Sequence, residues 1–252
     1  MPAAPAHGVS GAAARTAWPE RARELLGAPL THAQRQAFER YAAELVAWNR
    51  NVNLTAIVEP EAIGVKHFLD SLTCLLAMRG QPPGRAIDVG TGAGFPGVPL
   101  KIACPALNVT LVEATGKKAD FCRHIVSLLR LEGVEVLHAR AEEVGHMPGH
   151  RQAYDWALAR AVAPLPVLAE YLLPLLRLGG QVIAQKGESG PAEAQQAEAV
   201  LSMLGGTLRQ LLPVELPGVA ETRYLVVIEK TAATPGAYPR RAGMPARRPL
   251  GG

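Results

Sequence analysis

The chain has 252 residues, 48% hydrophobic and 19% charged, enough to build one large domain or a main domain with a small partner. Its apolar runs fall short of the ~20 residues that a bilayer span requires, so no membrane-crossing helix is expected. The three cysteines (Cys74, Cys104, Cys122) are widely separated, which argues against a zinc site or disulfide framework and for reduced thiols in a cytoplasmic protein, while a net charge of +4 fits a polyanionic partner without establishing one.

Residues 1–29 contain Pro2, Pro5, Pro19 and Pro29 among small residues. They lack the basic start and long apolar core of a signal peptide and are expected to be a disordered leader, with one helical turn near Arg21–Leu26. Thr31 and Gln34 then form a capping box, and Phe38, Tyr41, Ala42, Leu45 and Trp48 recur at helical spacing. This helix ends in the asparagines of WNRNVNLTAI (Trp48–Ile57). Glu59-Pro60-Glu61 opens another, with Ile63, Phe68, Leu69, Leu72, Leu75 and Leu76 largely on one side, ended by QPPG (Gln81–Gly84). Residues 30–84 thus read as a small helical N-terminal region.

From residue 85 to 230 the rhythm changes. Short apolar runs at Ala86–Val89, Val109–Glu113, Val134–Leu137, Trp156–Ala159 and Gln181–Gln185 alternate with helical stretches near Pro99–Cys104, Lys117–Leu131, Ala141–Val144 and Pro166–Leu176. Such alternation predicts an α/β domain with a parallel sheet covered on both faces. A helix at about Ala192–Leu204 precedes the runs Thr207–Val214 and Arg223–Glu229, whose short connecting loop predicts an antiparallel pair. Residues 231–252 contain no acid, four prolines, four glycines and Arg240, Arg241, Arg247 and Arg248. They read as a basic flexible tail, either solvated or an anion-binding arm.

The stretch RAIDVGTGAGFPGVPLK (Arg85–Lys101) has the features of a ligand site. A buried strand carrying Asp88 leads into Gly90, Gly92, Gly94 and Gly97 and then a helix N-terminus. Glycines let the backbone turn tightly and a ligand approach the main chain. Gly92-x-Gly94-x-x-Gly97 matches a dinucleotide fingerprint, and Glu113 ends the next strand as a ribose ligand would. NAD therefore stands as one alternative. Asp88 within the strand and the antiparallel ending favour S-adenosylmethionine, which carries an ammonium, a sulfonium and a ribose but no phosphate. Ala141-Glu142, where the third strand passes into a helix, is placed to read an adenine edge.

The blocks AIDVGTGAGFPGVPLKI, TLVEATGKKADFC, ARAEEV, DWALARAVAPL and QVIAQKG resemble, in order and spacing, the glucose-inhibited division protein B family. WNRNVNLTAI, KHFLDSL and YPRRAGMPARRPL extend the resemblance from Trp48 to the C-terminus. These are the bacterial small-subunit ribosomal RNA guanine-N7 methyltransferases. The resemblance implies a class I, Rossmann-like methyltransferase domain behind a helical region, with S-adenosylmethionine as donor. The implied target is a guanine in the decoding-region loop of 16S rRNA, and the implied partner is 16S rRNA or a small-subunit precursor. The implied donor contacts are Gly90, Phe95, Ala141, Glu142 and Arg160; Glu113 is carried over as the acid after the second strand, and Gly92 joins them from the turn itself. A monomer is expected.

The residues after the fourth strand, Arg160-Ala161-Val162-Ala163-Pro164, are compatible with that chemistry. They lack the (Asp/Asn)-Pro-Pro-aromatic turn used on exocyclic amines and the Pro-Cys used on pyrimidine carbons. Guanine nitrogen 7 has a free lone pair and no proton, so no catalytic base is assigned, and no metal. Arg160 is expected to pair with the donor's carboxylate or an rRNA phosphate. Lys117, Arg140, Lys186 and Arg223, with Arg240 and Arg241 in the tail, are expected to form a basic RNA-docking rim. His67 reads as a helix-interface residue. Removal of the tail is expected to weaken RNA binding and spare donor affinity.

Overall fold

The computed structural model describes residues 17–81 and 84–251. The disordered leader expected over the first residues therefore falls, for 1–16, outside the described residues. From residue 17 the structure departs from that expectation. Helix α1 (Ala17–Leu26) spans ten residues and fully buries Ala22. Its Trp18 packs edge-on against Phe38 and Phe68, with ring centroids 5.2 and 5.6 Å away. Trp18, Ala22, Leu25 and Leu26 share a face at helical spacing, and burying that face compensates for ordering the segment.

Helix α2 (His32–Val52) starts at the capping box: Gln34 N–H donates to Thr31 Oγ1 at 3.2 Å and Thr31 N–H donates to Gln34 Oε1 at 2.9 Å. It buries Phe38, Tyr41 and Leu45, and it stops at Asn53, which adopts a left-handed conformation. Asn49 steadies the exit by accepting from the N–H groups of Leu54 and Thr55. Then α3 (Pro60–Ile63), a π-helical turn (Gly64–Leu69), α4 (Asp70–Leu72) and α5 (Leu75–Met78) follow in close succession. The π-helical turn buries His67, Phe68 and Leu69 together.

The remaining elements alternate: β1 (Arg85–Val89), α6 (Gly97–Ala103), β2 (Asn108–Glu113), α7 (Gly116–Leu128), β3 (Val134–His138), α8 (Ala141–Val144), β4 (Tyr154–Arg160), α9 (Leu165–Leu172) and β5 (Leu176–Lys186). They are followed by α10 (Gly190–Gln196), α11 (Glu198–Leu204), β6 (Gly206–Val214), β7 (Arg223–Lys230) and α12 (Met244–Arg247). The sheet runs β3-β2-β1-β4-β5-β7-β6. Pairs from β3 through β5 are parallel; β7 lies antiparallel between β5 and β6. One apolar core holds the helical region, α6 and α7 against the sheet, and a second holds α8, α9 and α11 on the other face.

The helix expected after Glu59 is broken into α3, the π-helical turn, α4 and α5, and two later elements also depart from the sequence pattern. Strand β5 starts at Leu176, because a bulge opposite Tyr154–Trp156 lets the chain carry Gly179 and Gly180 within the strand. The single helix expected over Ala192–Leu204 is two helices meeting at Ala197. The C-terminal segment is also not loose where it is described. Thr234, Pro239 and Pro245 are buried, and Arg240 is paired with the fully buried Glu170. Its low apolar content hid this because it is held by polar contacts to α8 and α9 rather than by a core of its own. No helix among the described residues is long and apolar enough to cross a membrane.

Candidate functional site

The carboxyl ends of β1, β2, β3 and β4 converge at one edge of the sheet, where open α/β sheets bind ligands. After β1 the chain turns at Gly90, φ +69°, while the N–H groups of Gly90 and Thr91 donate to Val112 O at 2.9 and 3.1 Å. A methyl group at Gly90 would lie 2.7 Å from Val162 Cγ2, so this turn is packed directly on the loop after β4.

Two carboxylates organise the turn. Asp88 is fully buried; its Oδ2 accepts from the Thr91 hydroxyl at 2.6 Å and from Gly97 N–H at 2.8 Å. Its Oδ1 is buried with no protein partner among the described residues. Burial pushes this carboxyl up to about 6, opposed by the two hydrogen bonds. Glu113 ties the turns after β1 and β2 together: Oε2 accepts from Gly92 N–H at 2.9 Å and Oε1 from Thr115 N–H at 2.8 Å. An ionised carboxylate has about four acceptor positions, so two remain for ligand hydroxyls.

The helical region closes the other side. Phe95 is 5% exposed and stacks on His67 and Tyr41, with centroids 4.5 and 5.4 Å away. The Tyr41 hydroxyl donates to Ala93 O. Arg160 at the end of β4 sits 4.9 Å above the Phe95 ring, donates to Asp70 Oδ2 at 2.8 Å and to Lys66 O at 3.2 Å, and its Nη2 meets His67 Nδ1 at 3.3 Å. Burial, followed by the Arg160 charge, lowers the His67 pKa to about 3, so the ring is neutral at pH 7. A guanidinium only donates. Nδ1 must therefore accept, and Nε2 carries the proton toward Thr55 Oγ1, 2.8 Å away. His67 is thus at the helix interface, as its sequence context suggested.

The sequence-nominated residues divide into groups. Gly90, Gly92, Phe95 and Glu113 meet around the first turn, and Arg160 borders it through Phe95. Ala139 N–H donates to Glu113 O at 3.2 Å, which brings Ala141 and Glu142 to the same edge. Glu142 is buried, however, and its Oε1 accepts from Gly243 N–H at 2.7 Å. Lys117, Arg140 and Arg241 are exposed. Arg223 lines a cleft of about 210 Å³ with Asp70, Arg160, Gln185 and Tyr224, and its buried Nε has no partner among the described residues. Lys186 and Arg240 are not free rim charges: Lys186 bonds Glu193 at 2.7 Å and Ala163 O at 2.6 Å, and Arg240 bonds Glu170. Among the described residues, no three His, Cys, Asp or Glu side chains are grouped to hold a metal.

Sequence reasoning gave no role to Tyr41 beyond core packing and none to Asp70. Tyr41 lay on the apolar face of α2, so its pattern was that of any core aromatic. Asp70 lay within the quoted KHFLDSL block, but its partner Arg160 is 90 residues away and no local pattern reports that distance.

A doubly covered parallel sheet with one antiparallel strand, a glycine turn after β1 and an acid at the end of β2 define the class I S-adenosylmethionine-dependent methyltransferase fold. A methyltransferase of this class from Aquifex aeolicus aligns with a TM-score of 0.51 over 68% of this chain and 94% of that one; at 16% identity this likeness concerns the fold alone. The GidB family profile, described as rRNA small subunit methyltransferase G, matches residues 34–217. The ribosomal RNA small subunit methyltransferase G of Roseiflexus castenholzii is 54% identical over 224 residues, 89% of this chain and 95% of that protein. Its counterpart in Desulforamulus reducens is 45% identical, covering 88% and 92%. The chain belongs to the rRNA small subunit methyltransferase G family.

Proposed function

We propose that the protein transfers a methyl group from S-adenosylmethionine to nitrogen 7 of a guanine in the decoding-region loop of 16S rRNA, acting as a cytoplasmic monomer. The observation that carries the donor assignment is the buried pair of carboxylates at the Gly90–Gly97 turn. Asp88 lies fully enclosed beneath the turn with Oδ1 unpartnered among the described residues, and a cationic ligand bound over the turn would offset the burial that raises its carboxyl. Glu113 keeps acceptor capacity for ribose hydroxyls while holding Gly92 in place. When bound, the donor supplies an electrophilic methyl group on a sulfonium.

The residues of this chain orient rather than ionise the acceptor. Guanine nitrogen 7 presents an in-plane lone pair and carries no proton, so its attack needs alignment and no base. The loop Arg160–Pro164 fits this, since it has neither the amine-holding turn nor the nucleophilic thiol of other base methyltransferases. Arg223, whose buried Nε has no partner among the described residues, lines the adjoining cleft, where it would meet an RNA phosphate, whereas Arg160 at the same cleft is already paired with Asp70. Lys117, Arg140 and Arg241 extend the positive surface. These contacts supply affinity and salt dependence, whereas selection of the guanine requires an unpaired or flipped base.

The test is incubation of the purified protein and labelled donor with undermethylated 16S rRNA and with small-subunit particles, followed by mapping of the modified atom. Label at guanine nitrogen 7 supports the reading. Label at another atom or in another RNA refutes it, and donor binding without transfer to any rRNA precursor points to a non-catalytic assembly role.

A further inference from the structure

The polar contacts of the C-terminal segment give it a task beyond the RNA contact of Arg241. Helix α8 has four residues, too few to hold a position by its own hydrogen bonding. The chain from α8 to β4 is tied to the C-terminal segment at successive points. Glu142 Oε1 accepts from Gly243 N–H at 2.7 Å, and His146 Nε2 lies 2.7 Å from Pro239 O. Arg151 donates to Tyr238 O at 2.8 Å and to Thr234 O at 3.1 Å. A methyl group at Gly145 would lie 2.6 Å from Pro239 Cγ, so the Pro239 ring packs directly on the backbone at the end of α8.

The segment is itself anchored on α9. Glu170, fully buried, accepts from Arg240 Nε at 2.9 Å, Arg240 Nη2 at 2.7 Å and Arg240 N–H at 2.8 Å. At the segment's start, the buried Lys230 ammonium donates to Leu173 O at 2.6 Å and to Thr234 Oγ1. A connected path results. It runs from Glu170 through Arg240 and Gly243 to Glu142, then through the β3–α8 loop from Ala139 N–H to Glu113 O, and from the Glu113 carboxylate to Gly92 N–H.

We propose that residues 234–243 form a strap that positions α8 and the β3–α8 loop for methyl-donor binding, with Arg240 as its anchoring residue. This rests on the reading of Ala141–Glu142 as one wall of the donor pocket. Arg240 and Glu142 are positioning residues in this scheme, because each acts through the other elements. On this proposal, removing the tail would weaken donor affinity rather than spare it.

The experiment measures S-adenosylhomocysteine affinity by calorimetry for the full-length wild type, Arg240→Ala, the near-isosteric Glu170→Gln, and Arg209→Ala, which removes an exposed ion pair to Glu229 on the far sheet edge. Loss of the bidentate pair is expected to weaken the ligand about tenfold in Arg240→Ala and less in Glu170→Gln, since hydrogen bonds to charged groups are worth about that much. Arg209→Ala is expected to match wild type. The KM for donor should rise while kcat at saturating donor stays within about twofold, and the salt slope of rRNA binding should be unchanged. A lower melting temperature with unchanged ligand affinity in the folded Glu170→Gln protein would show a purely structural anchor and refute the strap. Unchanged donor affinity with a reduced salt slope would make the segment an RNA-docking arm. Failure of the wild type to bind S-adenosylhomocysteine would instead overturn the pocket reading on which the strap rests.

Discussion

Asp88→Asn probes the donor turn through its pH dependence. The Asp88 carboxyl is raised from 3.8 to about 6, chiefly by burial. An upward shift means that the folded protein binds the proton more tightly than the unfolded chain. The associated stability is fully present below the unfolded value and is lost as pH rises through about 6. Moving from 3.8 to about 6, at ~1.4 kcal/mol per pH unit, makes the change roughly 3 kcal/mol. Asparagine keeps one oxygen to accept from Thr91 and Gly97 and places its amide where Oδ1 lies unpartnered. The stability difference between wild type and Asp88→Asn, from urea unfolding of the ligand-free proteins, should therefore shift against the wild type by roughly 3 kcal/mol between about pH 3 and pH 7. Subtracting the variant cancels other carboxylates that titrate in this range. Saturating S-adenosylhomocysteine, whose ammonium favours the ionised carboxylate, should flatten the slope. A difference that does not vary with pH would refute the assignment of a buried, proton-retaining Asp88; an unchanged slope with ligand bound would place the ammonium elsewhere.

Other perturbations address the clamp, the turn and the N-terminal helix. The Asp70–Arg160 pair is nearly enclosed, with side chains 6% and 15% exposed, so a double-mutant cycle with Asp70→Asn and Arg160→Met should give a coupling of about 2 kcal/mol; a value near zero would show that the pair does not hold the helical region. Gly90→Ala meets both a positive φ and Val162 at 2.7 Å, and it should cost about 2 kcal/mol in urea unfolding as well as weakening donor binding in calorimetry. Trp18→Ala removes the contact of α1 with Phe38 and Phe68; an expected loss of about 2 kcal/mol would be absent if α1 did not belong to the folded unit. Arg223→Met should lower the salt slope of rRNA binding by about one without changing donor affinity, whereas an unaltered slope would remove Arg223 from the RNA surface.

Much of the site was legible because its signals are local. The capping box of α2 needs only Thr31 and Gln34, and both hydrogen bonds form. The glycine turn and Asp88 are contiguous, and the spacing to Glu113 is one strand–helix–strand repeat. The α1 contact was missed because the apolar stripe of Trp18, Ala22, Leu25 and Leu26 is short and sits among prolines and alanines. The splitting of Ala192–Leu204 was missed because a bend at Ala197 leaves no residue-type signature.

The sequence by itself determined the alternation of elements, the parallel sheet with its late antiparallel strand, the ligand turn and the family. These follow from periodicity and from residue types at short range, where hydrogen bonding and burial act on neighbours along the chain. Only the tertiary structure decided which charges are available to a ligand. Lys186 and Arg240 read as rim cations in the sequence, yet one is held by Glu193 and the other by a buried Glu170 that is 70 residues away. A cation looks the same in a sequence whether it faces water or a carboxylate. Its availability is set by partners that folding brings within hydrogen-bond distance, since an unpaired charge in a low-dielectric interior is too costly to leave.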